Sequence, residues 1–223
     1  TAQVSLGLTT RASIAPNGEP SNGECPSVSG DGRYVVWANG FEGVRVRDRQ
    51  EGTTTIVSRH TNGTIGNRSS RCPTISADGR FVAFSSNSTN LTDDPIQTEQ
   101  IYIHDVSTGV TTLVSRHSNG TPANVDTYSF RGLSISDDGR YIAFVSRASN
   151  LVDGDTNSKD DVFVHDRETG ETTLITRNSA GTPVGGWNSS MSSDGYFVAF
   201  ASDAPDLVGS NPNGITQVYV HDR

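Results

Sequence analysis

The sequence predicts an all-β fold built from one unit that is repeated four times, and two observations carry this prediction. The first is a recurring run, Ser-x-Asp-Gly followed by an aromatic and apolar stretch, whose copies are 47, 60 and 56 residues apart. Repeats of this length indicate an array of one supersecondary unit. The second is a composition rich in Gly, Ser, Thr and Asn with 32% hydrophobic residues, which suits many short strands joined by turns. The four Asp-Gly pairs begin at Asp31, Asp78, Asp138 and Asp194.

Each repeat contains four predicted strands, named a to d in chain order. Strand a precedes the Asp-Gly pair, which is a strong signal for a tight hairpin. Strand b follows as an aromatic and apolar run, strand c ends in His-Asp or Arg-Asp, and strand d begins with Thr-Thr. β-Branched and aromatic residues, which favour strands, dominate these runs. The repeats cover residues 26–59, 73–116, 133–177 and 190–223.

The number of strands predicts a closed ring. There are four a-b-c sets but three internal d strands, and the last repeat ends directly after its strand c. A fourth d strand is predicted over residues 2–6, at the other end of the chain. A β-propeller closes its ring when strands from its two termini pair in one blade, which removes the open edge. We therefore expect one domain, 1–223, with four four-stranded blades and an N-terminal strand that completes the last blade. An arc of a larger ring, completed by a longer chain or by a second copy, is the alternative.

The repeat also resembles a known one. Ser-x-Asp-Gly-Arg-Tyr-x-Ala-Phe, followed by Asp-Val-Phe-Val-His-Asp-Arg-x-Thr-Gly, is similar to the WD-like propeller repeat of the TolB type, which occurs in arrays in bacterial exported proteins. The resemblance covers essentially the whole chain and implies a β-propeller. Propellers of this type serve as binding platforms, as periplasmic assembly factors and as gating domains of peptidases, so the resemblance implies no single function. The α/β domain that precedes the propeller in TolB has no counterpart among these residues.

Two cysteines occupy the same position in neighbouring repeats. Cys25 and Cys72 each precede a proline at the start of strand a. Equivalent positions come close where repeats converge, so we predict a disulfide, with two buried thiols as the alternative. A disulfide favours an oxidising compartment, here extracellular or periplasmic.

Charge and hydropathy narrow the classes of partner. The net charge is −8, the pI is about 5.0, and the basic residues form no cluster. An acidic chain without a basic patch is a poor binder of nucleic acid. No run approaches the ~18 apolar residues that a membrane span needs. The expected partner is therefore a protein or a carbohydrate ligand, and self-association through the blades is a further option.

One face of the predicted ring is the candidate binding site. A four-stranded meander places its a–b and c–d turns on one face and its b–c and d–a connections on the other. The second set is longer and differs between repeats, and binding residues tend to lie on loops held by a rigid scaffold. Ordinary loop hydrogen bonding and packing are the alternative roles for the residues there. The candidate ligand-binding residues are His60, His117, Asn119, Tyr128, Arg131 and Trp187.

A possible calcium loop lies in the third repeat. Asp153, Asp155, Asn157 and Asp161 place oxygen side chains at positions 1, 3, 5 and 9 of one loop. A hard cation such as calcium takes six or more oxygen ligands at about 2.3–2.6 Å. The loop resembles the calcium loops of integrin-type propeller blades, but Ser158 stands where a glycine is usual. A surface loop rich in Asx turns is the alternative.

No motif predicts catalysis. The sequence contains no Gly-x-Ser-x-Gly elbow, phosphate loop or His-Glu-x-x-His. Three of the five histidines, His104, His165 and His221, recur at one repeat position, which indicates a structural role within each blade. We therefore expect a non-catalytic exported propeller that binds a ligand or protein through the b–c and d–a loops. The alternatives are a self-associating structural or assembly subunit and, less favoured, an enzyme acting on polysaccharide through carboxylates such as Asp126 and Asp153.

Overall fold

The chain forms four antiparallel β-sheets, which we call blades I to IV. The computed structural model describes residues 8–93, 95–128, 132–209, 211 and 213–223. Blade I contains β1 (Glu24–Val28), β2 (Tyr34–Ala38), β3 (Val44–Asp48) and β4 (Thr53–Ile56), and a 3-10 turn at Gly40–Glu42 joins β2 to β3. Blade II contains β5 (Ser70–Ile75), β6 (Phe81–Ser86), β7 (Gln100–Asp105) and β8 (Thr111–Leu113).

The last two blades depart from this plan. Blade III contains β9 (Thr127–Tyr128), β10 (Ser134–Ile135), β11 (Tyr141–Ser146), β12 (Asp161–Asp166) and β13 (Thr172–Leu174). Both β9 and β10 pair with β11, and together they take the position of the first strand of blade III. Blade IV contains β14 (Trp187–Met191), β15 (Phe197–Ser202) and β16 (Gln217–Asp222), and within the described residues it has three strands. The predicted all-β fold of four antiparallel units is confirmed.

The Ser-x-Asp-Gly motif is a set of hydrogen bonds that closes the first hairpin of each blade. In blade I, Ser29 Oγ donates to Asp31 Oδ1 at 2.7 Å, and the same oxygen accepts from the Arg33 amide at 2.9 Å. The Tyr34 amide donates back to Ser29 Oγ at 2.9 Å. Gly32 has a φ of +73°, a conformation that glycine adopts without steric cost. The same three bonds recur in the other blades.

Three apolar clusters hold consecutive blades together. Aliphatic side chains on the side of a blade that faces its successor pack against large aromatic side chains on the facing side of that successor. We call these two sides the front of the first blade and the back of the second. At the blade I–II junction, for example, Val36 and Val46 lie in one cluster with Phe84 and Tyr102. Each cluster is buried, and burial of apolar surface is the main favourable term in such packing. Within the described residues no cluster joins blade IV to blade I.

A chain of backbone hydrogen bonds also links the blades, at the residue before each Asp-Gly pair. The Gly30 amide donates to the Ala77 carbonyl at 2.9 Å, the Ala77 amide to Asp137 at 3.1 Å, and the Asp137 amide to Ser193 at 2.8 Å. Among the described residues no bond joins Ser193 to Gly30, so the chain of bonds has two ends. The predicted strand at residues 2–6 lies outside the described residues, and closure of the ring stays a prediction.

The register of the loops locates the segment equivalent to an outer strand. Isolated bridges Arg59–Ile65, Arg116–Pro122 and Arg177–Pro183 each follow an outer strand by three residues, and Ile14–Pro20 is the same bridge at the start of the chain. The segment Thr9–Arg11, which carries the Thr-Thr of the repeat, therefore precedes its bridge by the same spacing as the outer strands of blades I to III precede theirs. In the structure this segment is not part of a strand.

The predicted disulfide is present. Cys25 and Cys72 are bonded, with their Cα atoms 4.8 Å apart, and there is no free cysteine. Both residues lie at irregularities in β1 and β5, with φ of +49° and +39°. The bond therefore ties the first strands of blades I and II together at equivalent points.

Candidate binding face

The two loop histidines play the same local role in the loops between blades. His60 Nδ1 accepts the Asn62 amide at 3.0 Å, and His117 Nδ1 accepts the Asn119 amide at 3.0 Å. Asn119 Oδ1 then accepts the Thr121 amide at 2.9 Å. The predicted ligand residues His117 and Asn119 thus shape their own turn.

The other ring nitrogen of each histidine faces a carboxylate of the next blade. His60 Nε2 lies 3.2 Å from Asp93, and His117 Nε2 lies 3.7 Å from Asp153. At the third junction Asn178 donates to Asp206 at 2.8 Å. Because the pairing recurs at every junction, it ties neighbouring loops together. His60 also lines an open cleft of about 400 Å³ at the outer rim of blade II, between β8 and the adjoining loops.

Two of the three strand-c histidines, His104 and His165, are structural, as the repeat indicates, whereas His221 is exposed. His104 is buried, and its Nδ1 lies 2.8 Å from Thr111 Oγ1, whose hydroxyl donates to the Arg59 carbonyl of the preceding blade's loop. Since the hydroxyl is already a donor there, the ring donates from Nδ1. His165 repeats the contact with Thr172 at 2.9 Å. Burial lowers the pKa of both histidines to about 4, so both rings are neutral at pH 7.

We use the term mouth positions for the residues at which the first strand of each blade begins, on the face of the long loops. Cross-strand pairing with the fifth residue of strand b identifies one equivalent residue in each blade. These mouth positions are Glu24, Arg71, Tyr128 and Trp187. Two of them, Tyr128 and Trp187, are among the predicted ligand residues, and Tyr128 is placed here by its backbone register. Arg131 lies outside the described residues.

Trp187 lines a cleft of about 260 Å³ between the loops of blades III and IV. Arg147 Nε lies 3.0 Å from Asp160 on its wall, and Lys159 donates from Nζ to the Val184 carbonyl at 3.2 Å. Sequence reasoning found Trp187 but missed the charged residues around it. Their signal was positional, because Arg147 and Asp203 both directly follow strand b. The lining residues are Arg147, Ser158, Lys159, Asp160, Gly185, Trp187 and Asp203.

The predicted calcium ligands separate into two groups. Asp155 and Asp161 are buried beside one another, and Asp161 accepts hydrogen bonds on Oδ1 from Thr176 Oγ1 and the Gly185 amide. Within the described chain, Asp161 Oδ2 has no hydrogen-bond partner. Burial and the charge of Asp155 raise the pKa of Asp161 to about 6, and burial also raises the pKa of Asp155. Asp153 is exposed and faces His117 instead.

Asn157 belongs to the buried group. It influences the pKa of Asp161 as a hydrogen-bonding neighbour, and its Oδ1 accepts the Lys159 amide at 2.8 Å in an Asx turn. The Asp155 and Asp161 carboxylates and the Asn157 side-chain amide therefore lie close together in this loop. In the part of the chain that the structure describes, no three Asp, Glu, His or Cys side chains form a metal-binding group.

Both carboxylates proposed for hydrolysis make contacts with neighbouring loops. Asp126 accepts the Glu99 amide at 2.7 Å, and Asp153 faces His117. A glycosidase needs two carboxyl groups facing one another across about 5–10 Å of open cleft. The cleft residues described above do not include this pair.

Among the described residues, no helix has the length and apolarity that crossing a bilayer requires.

Solved structures with a similar fold include TolB from Acinetobacter baumannii, with a TM-score of 0.54, 15% identity and coverage of 92% of this chain and 42% of that one. The tricorn protease gives a TM-score of 0.53 at 18% identity, with 86% of this chain and 17% of that one covered. No protein-family model matches the chain, and no curated protein matches its sequence. The chain thus spans less than half the length of either structure. At these identities the likeness shows the fold alone, and it supports assignment of the four sheets as propeller blades.

Proposed function

We propose that this chain is a non-catalytic binding module of an exported protein and that it holds a protein ligand at the mouth positions of its blades. The observation that carries the proposal is a contrast between the two ends of the repeat. The Asp-Gly end is the same in all four blades because its residues close the hairpin. The mouth positions carry an acid, a base and two aromatic residues at equivalent places.

Variation at equivalent positions supports recognition of an asymmetric ligand. A residue needed to build each blade recurs in each blade, as Ser29, Asp31 and their copies do. Glu24, Arg71 and Trp187 meet no such shared requirement. Tyr, Trp and Arg are also the residue types that contribute most to binding energy in protein interfaces.

The Trp187 cleft supports an extended segment as the ligand. Its volume of about 260 Å³ is at the low end for a ligand pocket, which suits one side chain of a partner better than a whole cofactor. Its wall carries both signs of charge, from Arg147, Lys159, Asp160 and Asp203. A mixed-charge rim beside an aromatic anchor fits a polar peptide segment.

Export is supported by the disulfide. A bond between Cys25 and Cys72 persists in an oxidising compartment and is rare in the cytosol. We place the module in the periplasm or outside the cell on this ground. We propose a non-catalytic role because the histidines and carboxylates whose contacts are described above stabilise turns, blades and loop junctions.

A binding screen with a matched variant tests the function. The fluorescently labelled protein is applied to an array of short peptides and, in parallel, to a glycan array. We expect peptide binding that Trp187→Ala weakens about 30-fold, the effect of losing a central aromatic anchor. The control is Tyr196→Ala, which removes an exposed aromatic residue from the Asp-Gly end of blade IV, on the face opposite the long loops. Binding to glycans alone would favour a carbohydrate ligand stacked on Trp187, and binding that ignores Trp187 would contradict recognition at the mouth positions.

We further propose that a calcium ion stabilises the blade III loop through Asp155, Asn157 and Asp161. The supporting observation is the buried Asp161 Oδ2, which has no hydrogen-bond partner within the described residues. Two adjacent buried carboxylates repel one another, and a divalent cation would offset that repulsion. Asp153, the fourth predicted ligand, is not part of this site.

A further inference from the structure

The front of blade IV is an apolar face without a partner. Phe197, Val218 and Val220 are 43%, 77% and 62% exposed. At the blade II–III junction the equivalent residues Phe81, Ile101 and Ile103 are 4%, 0% and 2% exposed. The sequence thus places interface residues on blade IV that its described neighbours do not cover. We call Phe197, Val218 and Val220 the front patch.

Each formed junction contains the same aromatic–glycine contact. The glycine of one Asp-Gly pair lies against the ring that follows the Asp-Gly turn in the preceding blade, so closely that a β-carbon on the glycine would overlap the ring. The three contacts are Gly79 on Tyr34, Gly139 on Phe81 and Gly195 on Tyr141. Phe197 is the equivalent ring in blade IV, and no glycine of a following blade contacts it among the described residues.

Blade I carries the matching glycine without a ring. A β-carbon on Gly32 would meet nothing closer than Arg49 at 3.8 Å. Gly32 therefore has open space where the other three glycines meet an aromatic side chain. Phe197 and Gly32 are two halves of one contact that the structure leaves unmade.

An arginine completes the comparison. At two junctions the arginine after strand c bonds the carbonyl of its own blade's glycine and stacks on the ring of the preceding blade. Arg167 contacts the Gly139 carbonyl at 3.1 Å and lies 4.0 Å from the Phe81 centroid. Arg223 contacts the Gly195 carbonyl at 2.7 Å and lies 4.0 Å from the Tyr141 centroid.

Arg49 holds the same place in blade I. It donates to the Gly32 carbonyl at 2.7 Å and to Thr10 Oγ1 at 3.5 Å, and its exposure leaves room for a ring such as Phe197 to stack on it. The Gly30 carbonyl and the Ser193 amide are likewise, among the described residues, the two free ends of the chain of backbone hydrogen bonds that links Gly30, Ala77, Asp137 and Ser193. Together, the back of blade I offers Gly30, Gly32 and Arg49 to a blade IV surface.

We propose that two copies of this chain associate head to tail, with the front patch of one copy seated on Gly32 and Arg49 of the other. The contact continues the interface that already joins consecutive blades. No hydrogen bond joins Ser193 to Gly30 among the described residues, and a second copy carries the surface complementary to each of the two faces. Repeating the contact twice about a two-fold axis closes a ring, because each copy then uses both of its faces.

The loop register adds a strand to this contact. By its spacing from the Ile14–Pro20 bridge, the segment Thr9–Arg11 corresponds to the outer strand of a blade before blade I. In the pair, that preceding blade is blade IV of the partner, whose β16 has no further strand beside it among the described residues. Each copy would therefore complete the other's last blade, which covers an edge that otherwise invites aggregation.

The test is the molar mass in solution, measured by light scattering on a sizing column over a range of concentrations. We expect a species of about twice 23.7 kDa that dissociates on dilution. Val218→Glu places a charge in the front patch and should give a monomer at concentrations where the unaltered chain is paired. Val208→Glu is the matched control, because Val208 is 73% exposed, lies in the loop between β15 and β16, and is not one of the residues equivalent to a buried junction residue.

A mixing experiment tests the head-to-tail direction. Val218→Glu damages the front of one copy and Arg49→Glu damages the back of another, so a mixture retains one intact junction. Association in the mixture, with each variant alone monomeric, supports the proposal. A wild-type monomer at every concentration, a dimer indifferent to Val218→Glu, or a mixture that does not associate overturns it.

Discussion

The ring of His104 is hydrogen-bonded to the hydroxyl of Thr111 at 2.8 Å, and that hydroxyl is bonded to the carbonyl of Arg59 in the preceding loop. The contact connects the inside of one blade to the loop that arrives from its neighbour. Blade I makes the same contact with Arg47 and Thr54, whose hydroxyl donates to the Ile14 carbonyl at 2.7 Å. A neutral imidazole and a guanidinium serve alike because both donate a hydrogen bond to the threonine.

This contact predicts loss of stability in mild acid. The folded pKa of His104 and His165 is about 4, below the ordinary value of 6.5, because burial disfavours the charged ring. The unfolded chain therefore binds more protons, and stability falls as pH drops from about 6.5 to about 4. Each histidine accounts for a loss of up to about 3 kcal/mol. Urea unfolding at pH 7 and pH 4.5 measures the change.

The control for the acid effect replaces both histidines with glutamine, which keeps an N–H donor and does not titrate. The double variant should lose less stability over the same pH range. Asp161 acts in the opposite direction, because its raised pKa of about 6 relieves a buried charge as pH falls. An equal loss in the variant and the parent would show that other groups cause the acid sensitivity.

The disulfide predicts a large stability difference. Replacing Cys25 and Cys72 by serine opens a loop with a sequence separation of 47, which should cost about 4 kcal/mol in the chain-entropy account. Chemical unfolding of the oxidised, reduced and serine forms measures this cost. The native protein should also resist alkylation until it is reduced. Two thiols that react without reductant would contradict the bond.

The aromatic–glycine contact predicts that two glycines with the same backbone conformation will differ in their tolerance of alanine. Gly139 and Gly109 have φ of +72° and +76°, so alanine strains both by about 1–2 kcal/mol. At Gly139 the added carbon also overlaps Phe81, whereas at Gly109 it meets nothing within 4 Å. Gly139→Ala should therefore cost about 1–3 kcal/mol more than Gly109→Ala. Equal unfolding midpoints for the two variants would mean that the blade junction accommodates the added β-carbon at no cost in stability.

The fold was largely predictable because its signals are local and repeated. The residues that bond in the Ser29–Asp31 turn belong to one repeat, and so do the buried strand-c histidines and the threonines that they contact. The disulfide was predictable because Cys25 and Cys72 hold one repeat position. Ring closure, which strand counting predicts, stays a prediction, since closure depends on the rotation between blades, which no local signal reports.

The site was harder to predict than the fold. His117 and Asn119 are predicted ligand residues, and the structure shows that both also form a turn, which the sequence pattern did not indicate. Asp153 fitted the spacing of a calcium loop, yet it faces His117 across a blade junction. Both outcomes depend on how loops from different blades meet, and a linear pattern does not contain that information.

The final prediction concerns calcium at Asp155, Asn157 and Asp161. If a cation binds there, millimolar calcium should raise the melting temperature relative to chelator, because a ligand that binds only the folded state stabilises it. Asp161→Asn should abolish the calcium response and, since it removes a buried charge, should leave the calcium-free protein at least as stable as the parent at pH 7. Asp153→Asn is the control and should keep the full response, because Asp153 is exposed and faces His117. Differential scanning calorimetry in both conditions provides the measurement, and a melting temperature that calcium does not change would identify the loop as a run of Asx turns without a bound cation.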